Sequence, residues 1–239
     1  MSLKTLPFGH SLIRFRALEW RSPAVVAECL GTFVMVFVGT GAVMVNQITD
    51  GAVTHLGISA AFGAIVAALI YGLGHVSSAH FNPAVTLAFW QCGVFPKYKV
   101  LPYLVAQSLG AIAASLFLQF TLGSIGTLGA TLPKNNNWSQ AFCLELVLTA
   151  ILMGVILGSG LDRRAPKGFA GVAIGLTVFL EALVMGPITG ASMNPARSLG
   201  PALVSGNWQH HWLYWIAPIL GAQLAVWLYR YLGPEKSAH

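Results

Sequence analysis

Long apolar runs broken by short polar punctuation dominate the chain. Six of them are long enough to cross a membrane as helices, which takes about 20 mostly apolar residues. They cover residues 24–46, 57–77, 98–121, 139–160, 168–186 and 211–232. Each run is continuously apolar, whereas a membrane β-barrel strand would alternate apolar and polar residues over about ten positions. Two further apolar pieces, 82–92 and 194–204, are too short to span, and both begin with Asn-Pro. Proline suits the first turn of a helix, where its missing N–H would be unpaired anyway, and asparagine before it is a good N-cap. Each piece therefore predicts a short helix starting at its proline. Non-helical backbone at membrane depth survives only when it is buried in protein or lines a watery cavity. The loops leading into both pieces should therefore fold inward. The expected fold is all-α and membrane-integral: six transmembrane helices plus two re-entrant half-helices.

The pattern repeats. Asn82-Pro83-Ala84 returns as Asn194-Pro195-Ala196, with similar flanks upstream, Gly74-His75-Val76-Ser77-Ser78-Ala79-His80-Phe81 and Gly186-Pro187-Ile188-Thr189-Gly190-Ala191-Ser192-Met193. Glu28 and Thr32 stand four apart in the first span, as Glu145 and Thr149 do in the fourth. Glu28 precedes its Asn-Pro-Ala by 54 residues and Glu145 precedes its own by 49. The chain 1–239 thus reads as one domain built from two similar halves, about 1–125 and 126–239. Three spans per half place the halves in opposite orientations, an inverted repeat whose functional site belongs near the bilayer midplane.

Charge adds an orientation. Of the thirteen Lys and Arg, Lys4, Arg14, Arg16 and Arg21 precede the first span, and Arg230 and Lys236 close the chain. Lys97, Lys99, Arg163, Arg164 and Lys167 fall in the connections after spans two and four. With an even number of spans all of these share one side, and the positive-inside rule makes it cytoplasmic, with both termini. Only Lys134 and Arg197 stand apart. The expected location is the plasma (cell inner) membrane, as a multi-pass protein in the lipid bilayer.

Composition narrows the classes. Charged residues make up 8% and apolar ones 56%, with mean hydropathy +0.70, against about 25% charged in soluble domains. Disorder is excluded by the same figures. The net charge of +6 is not gathered on a polar module, so nucleic acid is not an expected partner. Cys29, Cys92 and Cys143 lie in or beside apolar runs and show no disulfide or metal spacing. The N-terminal stretch reads as no cleaved signal peptide. No nucleophile, triad or phosphate loop is visible, and His75 and His80 have no third ligand beside them. The reading is of a non-enzyme without cofactor or metal.

Two half-helices that enter from opposite faces bring their N-termini together. Each terminus carries about half a positive charge, so the midplane repels cations, protons included. Asn82 and Asn194 can cap their helices and still offer an N–H to a passing neutral molecule. Glu28 and Glu145 read as braces that accept hydrogen bonds from the backbone N–H groups of the re-entrant loops, which otherwise lack partners in the membrane.

These residues carry a resemblance. The chain is similar over nearly its whole length to the major intrinsic protein family, the aquaporins and aquaglyceroporins. The matching motifs are Ala27-Glu28, Gly74-His75 through Asn82-Pro83-Ala84-Val85-Thr86, and Asn194-Pro195-Ala196-Arg197-Ser198. The resemblance implies a homotetramer with one pore per subunit, and a selectivity filter at Phe62, Ala182, Ala191 and Arg197. Strict water channels of the family have His at the position of Ala182, and two alanines imply a wider, less polar opening. Ser198, Tyr214-Trp215 and the short 205–210 loop resemble water channels instead. The loop flanks are most similar to the nodulin-like branch and its prokaryotic relatives, which includes channels for water, glycerol and uncharged metalloid acids.

The expectation is a passive channel for water, with glycerol or other small neutral solutes as further permeants, that excludes protons and ions. The alternatives are a glycerol or metalloid-acid facilitator with water secondary and, in another class, a coupled secondary transporter. The latter would need a titrating or ion-binding group at the midplane. His80 and Glu181 are candidates for the vestibule. Glu181 sits beside Ala182, where the family has an apolar or small residue. His210 and His211, with Trp208, Trp212 and Trp215, read as an interfacial belt.

Overall fold

A computed structural model describes residues 22–232, so Lys4, Arg14, Arg16, Arg21 and Lys236 lie outside the described residues. The described chain is helical. Its elements are α1 (Pro23–Ile48), α2 (Thr54–Ser77), α3 (Pro83–Gln91), α4 (Lys97–Leu122), α5 (Trp138–Ile156), α6 (Ala170–Thr189), α7 (Pro195–Ser205) and α8 (Leu213–Leu232). A π-turn, Leu157–Leu161, prolongs α5. α3 and α7 are the two half-helices, 9 and 11 residues long.

Five helices are long and apolar enough to cross a membrane: α1, α2, α4, α5 with its π-turn, and α6. The last long helix, α8, is as long as α6, at 20 residues, but is not among the helices apolar enough to cross a membrane. Gln223, Arg230 and several Trp and Tyr side chains interrupt its aliphatic run. It packs extensively on α5, as α1 does on α4 and α2 on α6.

Glycine sits where these pairs approach most closely. A Cβ on Gly63 would come within 2.5 Å of the Gly175 carbonyl oxygen, and one on Gly175 within 2.6 Å of that of Gly63. Gly110 of α4 meets the Cys29 carbonyl of α1, and Gly221 of α8 meets the Leu146 carbonyl of α5. Without a hydrophobic drive between helices in lipid, such backbone contact is a main source of cohesion.

Proline interrupts four helices, at Pro102, Pro187, Pro201 and Pro218. Pro187 has no N–H for the Leu183 carbonyl, and His55 Nε2 of α2 donates to that oxygen instead at 2.8 Å. At the ends of α2 and α6, Tyr103 and Tyr214 donate their hydroxyls to the Ser77 and Thr189 carbonyls, at 3.0 and 2.7 Å. Both tyrosines are buried, and each closes a helix end at the point where the chain turns inward.

Outside the helices, Asp162 and Arg164 form an ion pair at 2.6 Å in the α5–α6 connection. Hydrogen bonds from the Arg164 side chain and backbone hold the Asp162 carboxyl well below the usual carboxylate range.

Candidate functional site

The loops before α3 and α7 are folded under strain. Ser78, Ala79 and Phe81 have positive φ in the first, and Ala191 and Met193 in the second. Non-glycine residues rarely adopt this region, and such conformations persist only when their surroundings over-determine them. The surroundings are two carboxylates. Glu28 of α1 accepts from the backbone N–H groups of His80 at 2.9 Å and Phe81 at 2.7 Å. Glu145 of α5 accepts from those of Ser192 and Met193, both at 2.8 Å. Both glutamates are fully buried.

Side chains complete both sets: Ser77 and Thr189, at matched places in the repeat, bond Glu28 and Glu145, and Glu28 has a further donor from α4. Glu28 takes Gln107 Nε2 of α4 at 2.7 Å. Glu145 takes the Thr189 hydroxyl from the end of α6 at 2.8 Å. Thr32 and Thr149 bond back to the carbonyls of Glu28 and Glu145, at 2.8 and 2.7 Å.

The asparagines tie the loops to each other. Asn82 Oδ1 accepts from Ala84 N at 2.9 Å, capping α3, and Asn194 Oδ1 accepts from Ala196 N at 3.0 Å, capping α7. Pro83 and Pro195 open the two helices. The amide groups cross over: Asn82 Nδ2 donates to the Met193 carbonyl and Asn194 Nδ2 to the Phe81 carbonyl, each at 2.8 Å. The N-termini of the half-helices are thus held together by reciprocal bonds. Asn194 Nδ2 also faces the Met35 sulfur at 3.9 Å, a weak acceptor.

Phe62, Ala182, Ala191 and Arg197 line one cavity of about 460 Å³, together with Asn82 and Asn194. Arg197 is buried, with Nη1 donating to the Gly129 carbonyl at 2.8 Å and its Cζ 4.9 Å from the centre of the Phe62 ring. The α4–α5 connection therefore folds inward far enough to aim the guanidinium. Its Thr131 hydroxyl meets Ser198 at 2.7 Å, and Ser198 meets Ser192 at 2.5 Å. Facing Arg197, the two alanines present only methyl groups.

Of the vestibule candidates, His80 lines the same cavity and Glu181 does not. The His80 ring packs among Phe89, Phe95 and Tyr103, with Nδ1 3.0 Å from the Thr86 hydroxyl. Glu181 is buried behind the wall, 7% exposed. Sequence reasoning does not single out Gln107, Thr189, Gly129 or Tyr103 as site residues. The pairings of Tyr103 with Tyr214 and of Ser77 with Thr189, at matched places in the repeat, are the signals that could have found two of them.

Chemically, the cavity offers donors beside an apolar wall. Arginine carries five N–H donors and no acceptor, and only Nη1 of Arg197 has a partner among the described residues. Two helix N-termini add positive potential at the centre. Such a site accommodates the lone pairs of a neutral molecule and opposes a cation. Glu28 and Glu145 are engaged by the loops, and neither lines the cavity.

Known proteins align with this arrangement. The family model for Major intrinsic protein matches residues 16–229. Aquaporin NIP1-2 of Oryza sativa subsp. japonica is 48% identical over 87% of this chain and 71% of its own length. Nodulin-26 of Glycine max is 44% identical over 95% of this chain and 82% of its own. Probable aquaporin AqpM of Archaeoglobus fulgidus is 44% identical over 87% and 96%. Among solved structures, the aquaglyceroporin from Plasmodium falciparum superposes with a TM-score of 0.80 at 26% identity, covering 88% of this chain and 96% of that one.

Proposed function

The chain belongs to the major intrinsic protein family, and on that premise we propose that its pore passes glycerol-sized uncharged solutes as well as water. It is a nodulin-like member and a passive transmembrane channel for water and small solutes. The finer reading rests on one observation: Ala182 and Ala191, which line the cavity with Arg197 and Phe62, contribute only methyl groups to its wall.

In this reading Phe62, Ala182, Ala191 and Arg197 form the filter. Asn82-Pro83-Ala84 and Asn194-Pro195-Ala196 form the central barrier to cations, and Glu28 and Glu145 hold the loops that carry it. A neutral solute gives up part of its hydration on entry. Arg197 and the asparagine N–H groups replace it with donors, while the apolar wall admits a carbon frame. A cation meets the guanidinium and the half-helix termini and receives no compensating partner. Glycerol and uncharged metalloid acids fit these demands alike. The chain acts as a homotetramer of independent pores in the plasma membrane, with both termini cytoplasmic and no enzymatic activity.

Stopped-flow light scattering of proteoliposomes tests the reading. An impermeant osmolyte should cause rapid shrinkage, and a glycerol gradient should cause shrinkage followed by re-swelling well above the rate of empty liposomes. Water flux without glycerol re-swelling would limit the pore to water, and accumulation of solute against a gradient would replace the channel with a coupled transporter.

A further inference from the structure

We infer that Glu181 is a specificity-determining residue of the pore, an acceptor for the hydroxyl groups of a polyhydroxylated neutral solute as it passes Ala182. The inference rests on the reading that the pore admits glycerol-sized solutes. α6 contributes Ala170, Ile174, Val178 and Ala182 to the cavity wall. Glu181 lies seven residues beyond Ile174 and eleven beyond Ala170, which on a helix of 3.6 residues per turn is the same stripe. Its side chain is 7% exposed, and neither carboxyl oxygen has a hydrogen-bond partner among the described residues. The neighbouring Glu145 carboxylate is occupied by Thr189, Ser192 and Met193. No hydrogen bond therefore anchors the Glu181 carboxyl where it sits, next in sequence to Ala182 of the cavity wall.

The loop residues of the cavity offer backbone carbonyls as acceptors, but the α6 side of the wall is apolar throughout, and Glu181 would add a side-chain acceptor there. Arg197 supplies N–H groups only. The carbonyl oxygens of Asn82 and Asn194 are committed to the caps of α3 and α7. Water can turn its hydrogens toward the next water in file. A polyol holds its hydroxyls on a fixed carbon frame and cannot, so each hydroxyl hydrogen that enters needs an acceptor in the wall or remains unpaired. A staggered change of side-chain torsion is required to turn the Glu181 carboxyl toward the cavity.

The test uses the full chain in proteoliposomes, with water and glycerol flux measured on wild type, Glu181→Leu, Glu181→Met and Glu181→Gln. Replacing an unpartnered buried polar group by an apolar one is close to neutral for folding. Water flux in the Leu and Met variants should therefore stay within about twofold of wild type, while glycerol flux falls about fivefold or more. The Gln variant keeps a carbonyl acceptor and should retain most of its glycerol flux. An unchanged glycerol-to-water ratio in both apolar variants overturns the inference and leaves the proposed function standing. So does loss of water flux in both, which would make the residue structural. A wild type that passes no glycerol overturns the two together.

Discussion

The two halves of the molecule build the same barrier and then diverge on each side of it. Asn82 and Asn194 are 112 positions apart, and each caps a half-helix and bonds the opposite loop. Applied to the proposed filter, the same offset pairs Phe62 with Ile174, Ala182 with Ile70, Ala191 with Ala79 and Arg197 with Val85. All eight line the cavity. The second set is apolar throughout, so the fold provides two equivalent rings and only one contains a charge. The braces diverge too. Glu28 borrows a donor from α4, whereas Glu145 draws all of its donors from the segment it holds. The place matching Gln107 in the second half, 111 positions on as Tyr214 is from Tyr103, is Pro218. In the proposed reading the barrier is symmetric and the selectivity asymmetric, with the charge on one ring alone.

The largest test of that comparison removes the braces. Glu145→Leu leaves the N–H groups of Ser192 and Met193 without a partner. Hydrogen bonds to a charged group contribute about 1.5–3 kcal/mol each, so a loss of about 3 kcal/mol or more is expected, with water flux close to that of empty liposomes. Glu28→Leu should cost less. The Gln107 carbonyl oxygen has no partner among the described residues and can turn to accept from the first loop. Thermal unfolding in detergent reads the difference, and equal losses would break the comparison.

Next comes the charge. Arg197→Val gives the charged ring the residue of the apolar one, and a barrier lower by about 1.4 kcal/mol raises proton leak about tenfold. Val85→Ala should leave it unchanged, and a pH-sensitive dye inside the vesicles reports both. A smaller effect concerns width. Ala182→His should cut glycerol flux about tenfold, a factor equivalent to about 1.4 kcal/mol, while water continues to pass. Ile70→His should change the two fluxes together. If Ala182→His leaves glycerol flux intact, Ala182 is not at the constriction.

The smallest effect lies outside both rings. The hydrogen bonds that hold Asp162 ionised contribute stability above the ordinary carboxylate range, and that contribution is lost as pH falls below about 4. The pair is exposed at the Arg164 end, so screening keeps its share small. Asp162→Asn should unfold at nearly the wild-type temperature at pH 7, and the two curves should merge on acidification. Divergence on acidification would contradict the assignment.

Much of this was legible in the chain. The half-helices begin at Pro83 and Pro195 as the Asn-Pro pairs predict, because capping and the proline at the first turn act within three residues. Glu28 and Glu145 stood out because a carboxylate in an apolar run needs a reason. The long helices followed from length and apolarity, though α8 is not among the five that are apolar enough to cross a membrane by that measure. Gln107 and Gly129 were not legible. Gln107 reaches Glu28 across 79 positions and Gly129 reaches Arg197 across 68, and Gly129 does so through a backbone carbonyl that any residue carries. Glu181 was visible as an anomaly but its placement was not, since a vestibule and a buried stripe differ only by the rotation of a helix.

Gly63 and Gly175 give the filter a property of its own. They press α2 against α6 through main-chain atoms, one residue from Phe62 and two helical turns from Ala182. Main chain yields far less than side chains do, so the distance between those two walls behaves as a machined gauge. An added or deleted methyl at the filter should therefore appear almost undiminished in the aperture, and selectivity in this scaffold can be retuned in discrete steps, one side chain at a time.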